Sequence, residues 1–217
     1  MFKEKTIFKL LLFVLFLSTN ALHAQLYDFE DVKLGKIPKT WFIDATNRDV
    51  KLPKWEVIED KSAPSPSHVL HLRETDASGS TFNLCYIKDM AFLDGELHVS
   101  FLSLSGNEDQ GGGIMWRVLD SENYYVARFN PLEDNFRLYY VKDGYRRMLK
   151  SARVSLSKNS WHTMKIIQNK NHYKVYLDGV KYLEGYDNTF VKSGGVGVWT
   201  KADALTSFDD FFITMKR

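Results

Sequence analysis

From Val69 onward the chain is a succession of short runs of alternating apolar and polar residues: VLHLRE, TFNLCYI, ELHVSFLSL, GIMWRVL, YYVARFN, NFRLYYV, YRRMLKSA, WHTMKIIQN, HYKVYLD, VKYLEGY, GGVGVWT and SFDDFFITM. Period-two alternation sends successive side chains to opposite faces of a strand. Turn signals separate the runs: Asp-Gly at 94–95, 143–144 and 178–179, SGNEDQGG at 105–112, NPLEDN at 130–135 and NKN at 169–171. The Asp-Gly pairs at 143–144 and 178–179 predict tight hairpins, because that dipeptide visits positive φ cheaply. No stretch keeps a 3.6-residue apolar period. The nearest, VKLPKWEVIED, contains Pro53, which breaks a helix interior. The pattern predicts an all-β chain, either two antiparallel sheets packed face to face or a closed barrel.

Ahead of these runs, YDFED opens with a short strand and leads into an irregular stretch carrying Pro38 and Pro53, then a strand from Trp55 to Glu59. KSAPSPSH, residues 61–68, reads as an exposed loop. Residues 1–24 have the form of a secretory signal peptide: Lys3, Lys5 and Lys9 precede the apolar run Leu10–Leu17, and Ala24 stands before a cut at Gln25. The apolar run is too short to span a membrane. The expectation is a cleaved signal at 1–24 and one β-sandwich domain over 25–217, exported to the periplasm or the exterior, with no membrane span after cleavage. The segment carries three Lys and one Glu, so the whole-chain +2 becomes 26 basic against 26 acidic residues without it. A nucleic-acid partner calls for a basic excess, and none is present. Cys85 is the single cysteine and sits in the apolar TFNLCYI, where it reads as a small buried hydrophobe.

NYYVARFNPLEDNFRLYYVKDGYRR, residues 123–147, concentrates seven aromatic residues and four arginines in 25 positions. Alternation places Tyr125, Ala127 and Phe129 on one face and Tyr124, Val126 and Arg128 on the other. In the neighbouring runs Ile114, Trp116 and Val118 oppose Met115, Arg117 and Leu119, and Phe136, Leu138 and Tyr140 oppose Arg137, Tyr139 and Val141. If these strands are neighbours, Arg117, Tyr124, Arg128, Arg137 and Tyr139 share a surface of flat rings and planar donors. Rings stack on the C–H faces of sugars and guanidinium forks fit carboxylates or vicinal hydroxyls. These five are the candidate ligand-binding residues. Ordinary cross-strand pairing of aromatic and cationic side chains is the competing account.

Catalytic signatures are sparse, and no catalytic residue is assigned. A glycosidase needs two carboxylates facing each other across the scissile bond, and no E-x-D-x-E run occurs. Glu122, Glu133, Asp134 and Asp209 are the acids available to a groove. The histidines show no metal-ligand spacing, GGG at 111–113 lacks the helix and Lys-Ser/Thr of a phosphate loop, and no Ser-His-Asp set stands out. No organic cofactor is indicated. Calcium stays open, since its oxygen ligands come from loops such as 105–112 and 130–135 or from Asp209 or Asp210.

The blocks NYY.AR.N...DN.RLY.V and G.VGVWTKAD...FDDF, together with the opening YDFED...P..W, resemble secreted bacterial proteins with a concanavalin A-like (laminin G-like, jelly-roll) sandwich. Within that group the chain is similar to the domain described as 3-keto-disaccharide hydrolase-like or family 16 glycoside hydrolase-like. The resemblance spans roughly 26–215 and implies a two-sheet antiparallel sandwich with adjacent N- and C-terminal strands. It also implies that Trp116, Arg117, Asn123, Tyr124, Tyr125, Arg128 and Arg137 lie on central strands of one sheet. Lectin-like relatives hold ligand on the concave sheet and its loops. Fold alone does not choose a function. The expectation is a secreted, non-catalytic carbohydrate-binding domain whose partner is a glycan. The alternatives are a sugar-active hydrolase or lyase, and a structural module that binds envelope proteins.

Overall fold

A computed structural model describes residues 23–216, and every regular element in it is a β-strand. The first eight are β1 (His23–Tyr27), β2 (Phe42–Thr46), β3 (Lys54–Glu59), β4 (His68–Glu74), β5 (Phe82–Phe92), β6 (Gly95–Ser105), β7 (Gly112–Asp120) and β8 (Asn123–Asn130). The remainder are β9 (Asn135–Lys142), β10 (Tyr145–Arg153), β11 (His162–Asn169), β12 (His172–Leu177), β13 (Val180–Tyr186), β14 (Gly194–Lys201) and β15 (Leu205–Met215). They form two antiparallel sheets. A seven-stranded sheet runs β10-β9-β8-β7-β14-β5-β2, and an eight-stranded sheet runs β13-β12-β11-β6-β15-β4-β3 with β1 added beside β15. This is the open sandwich of the concanavalin A-like arrangement, with first and last strands paired as expected. The predicted signal segment lies outside the described residues except for His23 and Ala24, which pair with Met215 and Thr214.

Both hairpin turns form as Asp-Gly chemistry dictates: φ is 50° and 77° at Asp143 and Gly144, and 48° and 77° at Asp178 and Gly179. The stretch expected to be irregular contains one more strand, β2, which pairs with β5 at the sheet edge. Its five residues, bounded upstream by Pro38 and downstream by Pro53, are too short for a visible alternation.

The inward faces of both sheets build one core, in which Ile114, Trp116, Tyr125, Ala127, Phe129, Phe136 and Leu138 meet Leu97, Val99, Phe101, Met164, Ile166, Val175 and Phe208. Polar bonds also join the sheets: the Trp116 indole N–H donates to Gln168 Oε1 at 2.9 Å, tying β7 to β11, and Thr206 Oγ1 of β15 donates to the Gly111 carbonyl at 3.3 Å. Cys85 is fully buried in this core, and burial pushes its thiol pKa upward.

The seven-stranded sheet is apolar on its other side too. Phe82, Leu84, Tyr86, Met115, Val118, Tyr124, Val126, Tyr139, Val141 and Trp199 form a second buried cluster drawn from that sheet alone. Strict alternation would have placed Val118 in the core and Arg117 outside. Instead the register slips between Trp116 and Asp120, and Arg117 takes φ 47°. Such a bulge re-aims every side chain after it. Residues 111–113 are glycine because β7 runs close to its neighbours. A Cβ on Gly113 would stand 1.9 Å from the Ala127 carbonyl oxygen, and one on Gly111 2.3 Å from that of Phe129.

Candidate functional site

The outer face of the seven-stranded sheet has an aromatic floor. Phe82 of β5 and Trp199 of β14 pack with ring centroids 5.1 Å apart. The Arg146 guanidinium lies over them, 4.5 Å from the Tyr139 centroid, 5.1 Å from Phe82 and 5.8 Å from Trp199. Arg146 arrives there because the Asp143-Gly144 turn puts it opposite Val141, one step from Tyr139 on the same face. No hydrogen bond or ion pair to Arg146 occurs among the described residues, and its Nη1 is buried without a partner. Burial pulls the Arg146 pKa downward, and the Tyr139 hydroxyl partly opposes that shift.

Beside Arg146 is a recess of about 290 Å³ lined by Asn47, Ser80, Phe82, Gly144, Tyr145 and Arg146. Asn47 fixes its rim by donating from Nδ2 to the carbonyls of Gly144 at 2.9 Å and Ser80 at 3.1 Å. Its backbone N–H donates to Glu122 Oε1 at 3.0 Å. Tyr145 is 74% exposed, so one ring at the mouth is free to stack.

Farther along the face, Arg128 is 1% exposed and donates to Asn135 Oδ1 at 2.6 Å, Glu133 Oε2 at 3.1 Å and the Tyr139 hydroxyl at 3.4 Å. Its Nε is buried without a partner. Glu133 Oε2 also accepts from Asn135 Nδ2 at 2.7 Å and from Arg137 Nη1 at 3.4 Å. Those contacts, Asn135 foremost, hold the Glu133 carboxyl below its ordinary range. Asp109 is buried on the opposite flank, accepts from the Gly111 N–H at 2.9 Å and lies 4.0 Å from Lys201 Nζ. Burial pushes its carboxyl pKa up, against the fields of Arg128, Lys201 and Arg146. Lys201 in turn pairs with Glu108 at 3.2 Å.

The structure brings four of the five candidate residues, Tyr124, Arg128, Arg137 and Tyr139, to this face, and sends Arg117 elsewhere. Tyr124 lies beneath the surface: it is wholly buried, with its hydroxyl 2.7 Å from Thr46 Oγ1 and 3.1 Å from Trp199 Nε1. It supports the floor from beneath. Arg117 is a clamp at the end of the sandwich, donating to the carbonyls of Leu93, Phe190 and Lys170 at 3.0, 2.6 and 2.5 Å and to Asp94 Oδ1 at 3.3 Å. A second recess of about 360 Å³ borders it, but those backbone contacts already occupy its donors.

The acids considered for catalysis do not gather. Glu122 caps Asn47, Asp134 occupies the β8–β9 turn at φ 49°, and Asp209 is on the eight-stranded sheet. Among the described residues no three His, Cys, Asp or Glu side chains converge on a metal position. The loop 105–112, considered for calcium, is held instead by Asp203, which accepts the N–H groups of Asn107, Glu108 and Asp109 at 2.6 to 3.0 Å. Ser207 Oγ and His71 Nδ1 meet at 3.0 Å, with Glu56 opposite His71 on β3, a set not apparent from sequence. Ser207 is fully buried, so no substrate carbonyl reaches it. Arg146 and Asp109 were also missed. Alternation around the Asp-Gly turn carries the signal for Arg146, whereas nothing local marks Asp109.

The sequence profile of the 3-keto-alpha-glucoside-1,2-lyase-like domain matches residues 42–214. A levanase of Bacillus subtilis is 24% identical over 157 residues, which cover 71% of this chain and 20% of that enzyme. The chain therefore spans about a fifth of that relative's length. Among solved structures, the carbohydrate binding module CBM66 from Bacillus subtilis superposes with a TM-score of 0.61 at 18% identity, covering 80% of this chain and 95% of the module. A glycoside hydrolase family 16 endo-glucanase from Bacteroides ovatus gives 0.62 at 13% identity, covering 88% and 99%. These structural likenesses establish the shared sandwich. No helix among the described residues is long and apolar enough to cross a membrane.

Proposed function

Given that the chain belongs to the family of 3-keto-alpha-glucoside-1,2-lyase-like domains, we propose that it is an exported carbohydrate-binding domain that holds its glycan on the outer face of the seven-stranded sheet without catalysis. One observation carries this reading: the Arg146 guanidinium lies over an aromatic floor, beside the recess, with no protein acceptor for its N–H groups among the described residues. Buried donors left unmade cost about 1 to 3 kcal/mol each, a cost that a hydroxyl-rich ligand relieves. Tyr145 supplies the exposed ring, Arg137 extends the surface beyond the recess, and the buried Tyr139 ring supports it from beneath.

The carboxylates of this face speak for binding over turnover. A general base needs a free lone pair and a pKa near the working pH. Glu133 is held by two arginines and an asparagine and is a weakened base. A sugar-active lyase or hydrolase is the second reading, favoured by Asp109, whose raised pKa suits an acid. Its signature is turnover that Asp109→Asn abolishes.

Calorimetric titration of a panel of oligosaccharides tests the binding reading. Tyr145→Ala and Arg137→Ala should each weaken binding by about tenfold, the equivalent of 1.4 kcal/mol. Lys174→Ala, on the other sheet, should leave it unchanged. A panel without a single binder, or normal affinity in both site variants, would sink the proposal.

A further inference from the structure

The charges on this face do not balance in the way those of a finished ion-pair network do. Glu133 is taken by Arg128 and Arg137. Glu108 is taken by Lys201 and by the Gly79 N–H at 2.9 Å. Asp109 accepts the Gly111 N–H and lies in the fields of Arg128, Lys201 and, more weakly, Arg146, with which it makes no ion pair. Arg146 remains, stacked on three rings, with no carboxylate within ion-pair distance among the described residues. Arg128 and Arg146 also repel each other, which adds to the effect of burial on Arg146.

Resting on the binding reading above, we propose that the glycan bound here is acidic, and that Arg146 is the subsite for a uronic-acid carboxylate. A desolvated cation without a partner is costly, and a sugar hydroxyl satisfies a donor without supplying the missing charge. The rings of Tyr139, Phe82 and Trp199 lie against the guanidinium, and the Arg146 side chain lines the recess. A planar guanidinium fork matches a carboxylate with two parallel hydrogen bonds. The neighbouring Asn47, Ser80 and Tyr145 supply neutral contacts for ring hydroxyls.

The test pairs each of three uronate oligosaccharides (galacturonate, glucuronate and mannuronate) with its carboxyl-reduced counterpart, and adds one sulfated oligosaccharide. Calorimetry is run on the full chain and on Arg146→Met and Arg146→Lys. One acid should bind at least about tenfold tighter than its reduced form, and more weakly as salt is raised from about 50 to 500 mM. Arg146→Met should remove the preference while its melting temperature holds or rises, since a stacked apolar chain replaces an unpaired cation. A structural arginine would give the opposite, a fall in melting temperature. Arg146→Lys keeps the charge and should retain part of the preference.

Equal binding of acid and reduced forms would overturn the inference and leave the binding reading standing. Binding of the sulfated sugar alone would overturn the carboxylate assignment. Silence across every sugar, neutral ones included, would overturn both.

Discussion

Trp199 donates its indole N–H to the hydroxyl of Tyr124 at 3.1 Å, and Thr46 Oγ1 meets the same hydroxyl at 2.7 Å. Through this oxygen β14, β8 and β2 are fastened together under the aromatic floor. Tyr124→Phe removes it, leaving the Trp199 N–H buried and unpaired, while Thr46 keeps its bond to the Ser121 carbonyl at 2.6 Å. The expected cost is about 1 to 3 kcal/mol of stability by denaturant titration. Glycan affinity of the folded variant should be unchanged. A large affinity loss at full stability would instead put Tyr124 in the ligand site.

Arg117 is an arginine whose work is internal. Its guanidinium joins the β5–β6 turn, the β11–β12 turn and the loop before β14. Tyr125 holds that last loop as well, accepting the Phe190 N–H at 3.0 Å and donating to Asp187 Oδ1 at 2.5 Å. Arg117→Met leaves the Leu93 and Phe190 carbonyls without this donor, while the Lys170 carbonyl keeps the Gln168 Nε2 bond at 2.8 Å, and should cost about 3 kcal/mol. On the proposed reading the folded variant should bind glycan like the parent, because the clamp lies away from the outer face of the seven-stranded sheet.

Gly113 tests the close approach of β7 and β8. A methyl group there meets the Ala127 carbonyl oxygen at 1.9 Å, and backbone on both strands must shift to accept it. Gly113→Ala should cost about 3 kcal/mol or more. An alanine variant of ordinary stability would mean that the two strands separate without penalty.

The architecture was legible because strand period and turn chemistry are local. Alternation sorted Tyr124 from Tyr125 and Arg128 from Phe129 correctly, and both Asp-Gly hairpins formed. Two things were not legible. Alternation assumes an unbroken ladder, so it misplaced Arg117 and Val118 once the bulge intervened. It also does not say whether an outward face is wet. Alternation gives Tyr124 as a displayed ring, yet it lies within a second buried cluster that exists only because Phe82, Trp199 and Tyr139 arrive from three separate strands. The site residues absent from the sequence reading share that origin. Arg146 gains its meaning from rings 7 to 64 positions distant in the chain, and Asp109 from cations on other strands.

Asp209 offers a prediction of a different kind, a stability that depends on pH. It is wholly buried on β15 beneath the loop 61–67, whose Ser65 donates to it from its backbone N–H at 3.0 Å and from Oγ at 2.9 Å. Burial pushes its pKa up to about 6, reinforced by the neighbouring Asp210 charge and opposed by the Ser65 and Asp210 N–H groups. In the unfolded chain the group ionises near its ordinary 3.8. Between those values the folded state binds the proton and the unfolded state does not, so stability falls as pH rises through this window. The loss is complete above about pH 6 and amounts to about 3 kcal/mol at most. Asp209→Asn keeps an acceptor oxygen and cannot ionise. Its stability relative to the parent should therefore rise by that amount between about pH 4 and pH 7, whereas Glu133, with its lowered pKa, adds stability above its ordinary 4.5 that is lost as pH falls, equally in both proteins, and so cancels from the comparison. Parallel stability curves for the two proteins would show that Asp209 is charged in the folded state throughout, held by Ser65 more firmly than its burial resists.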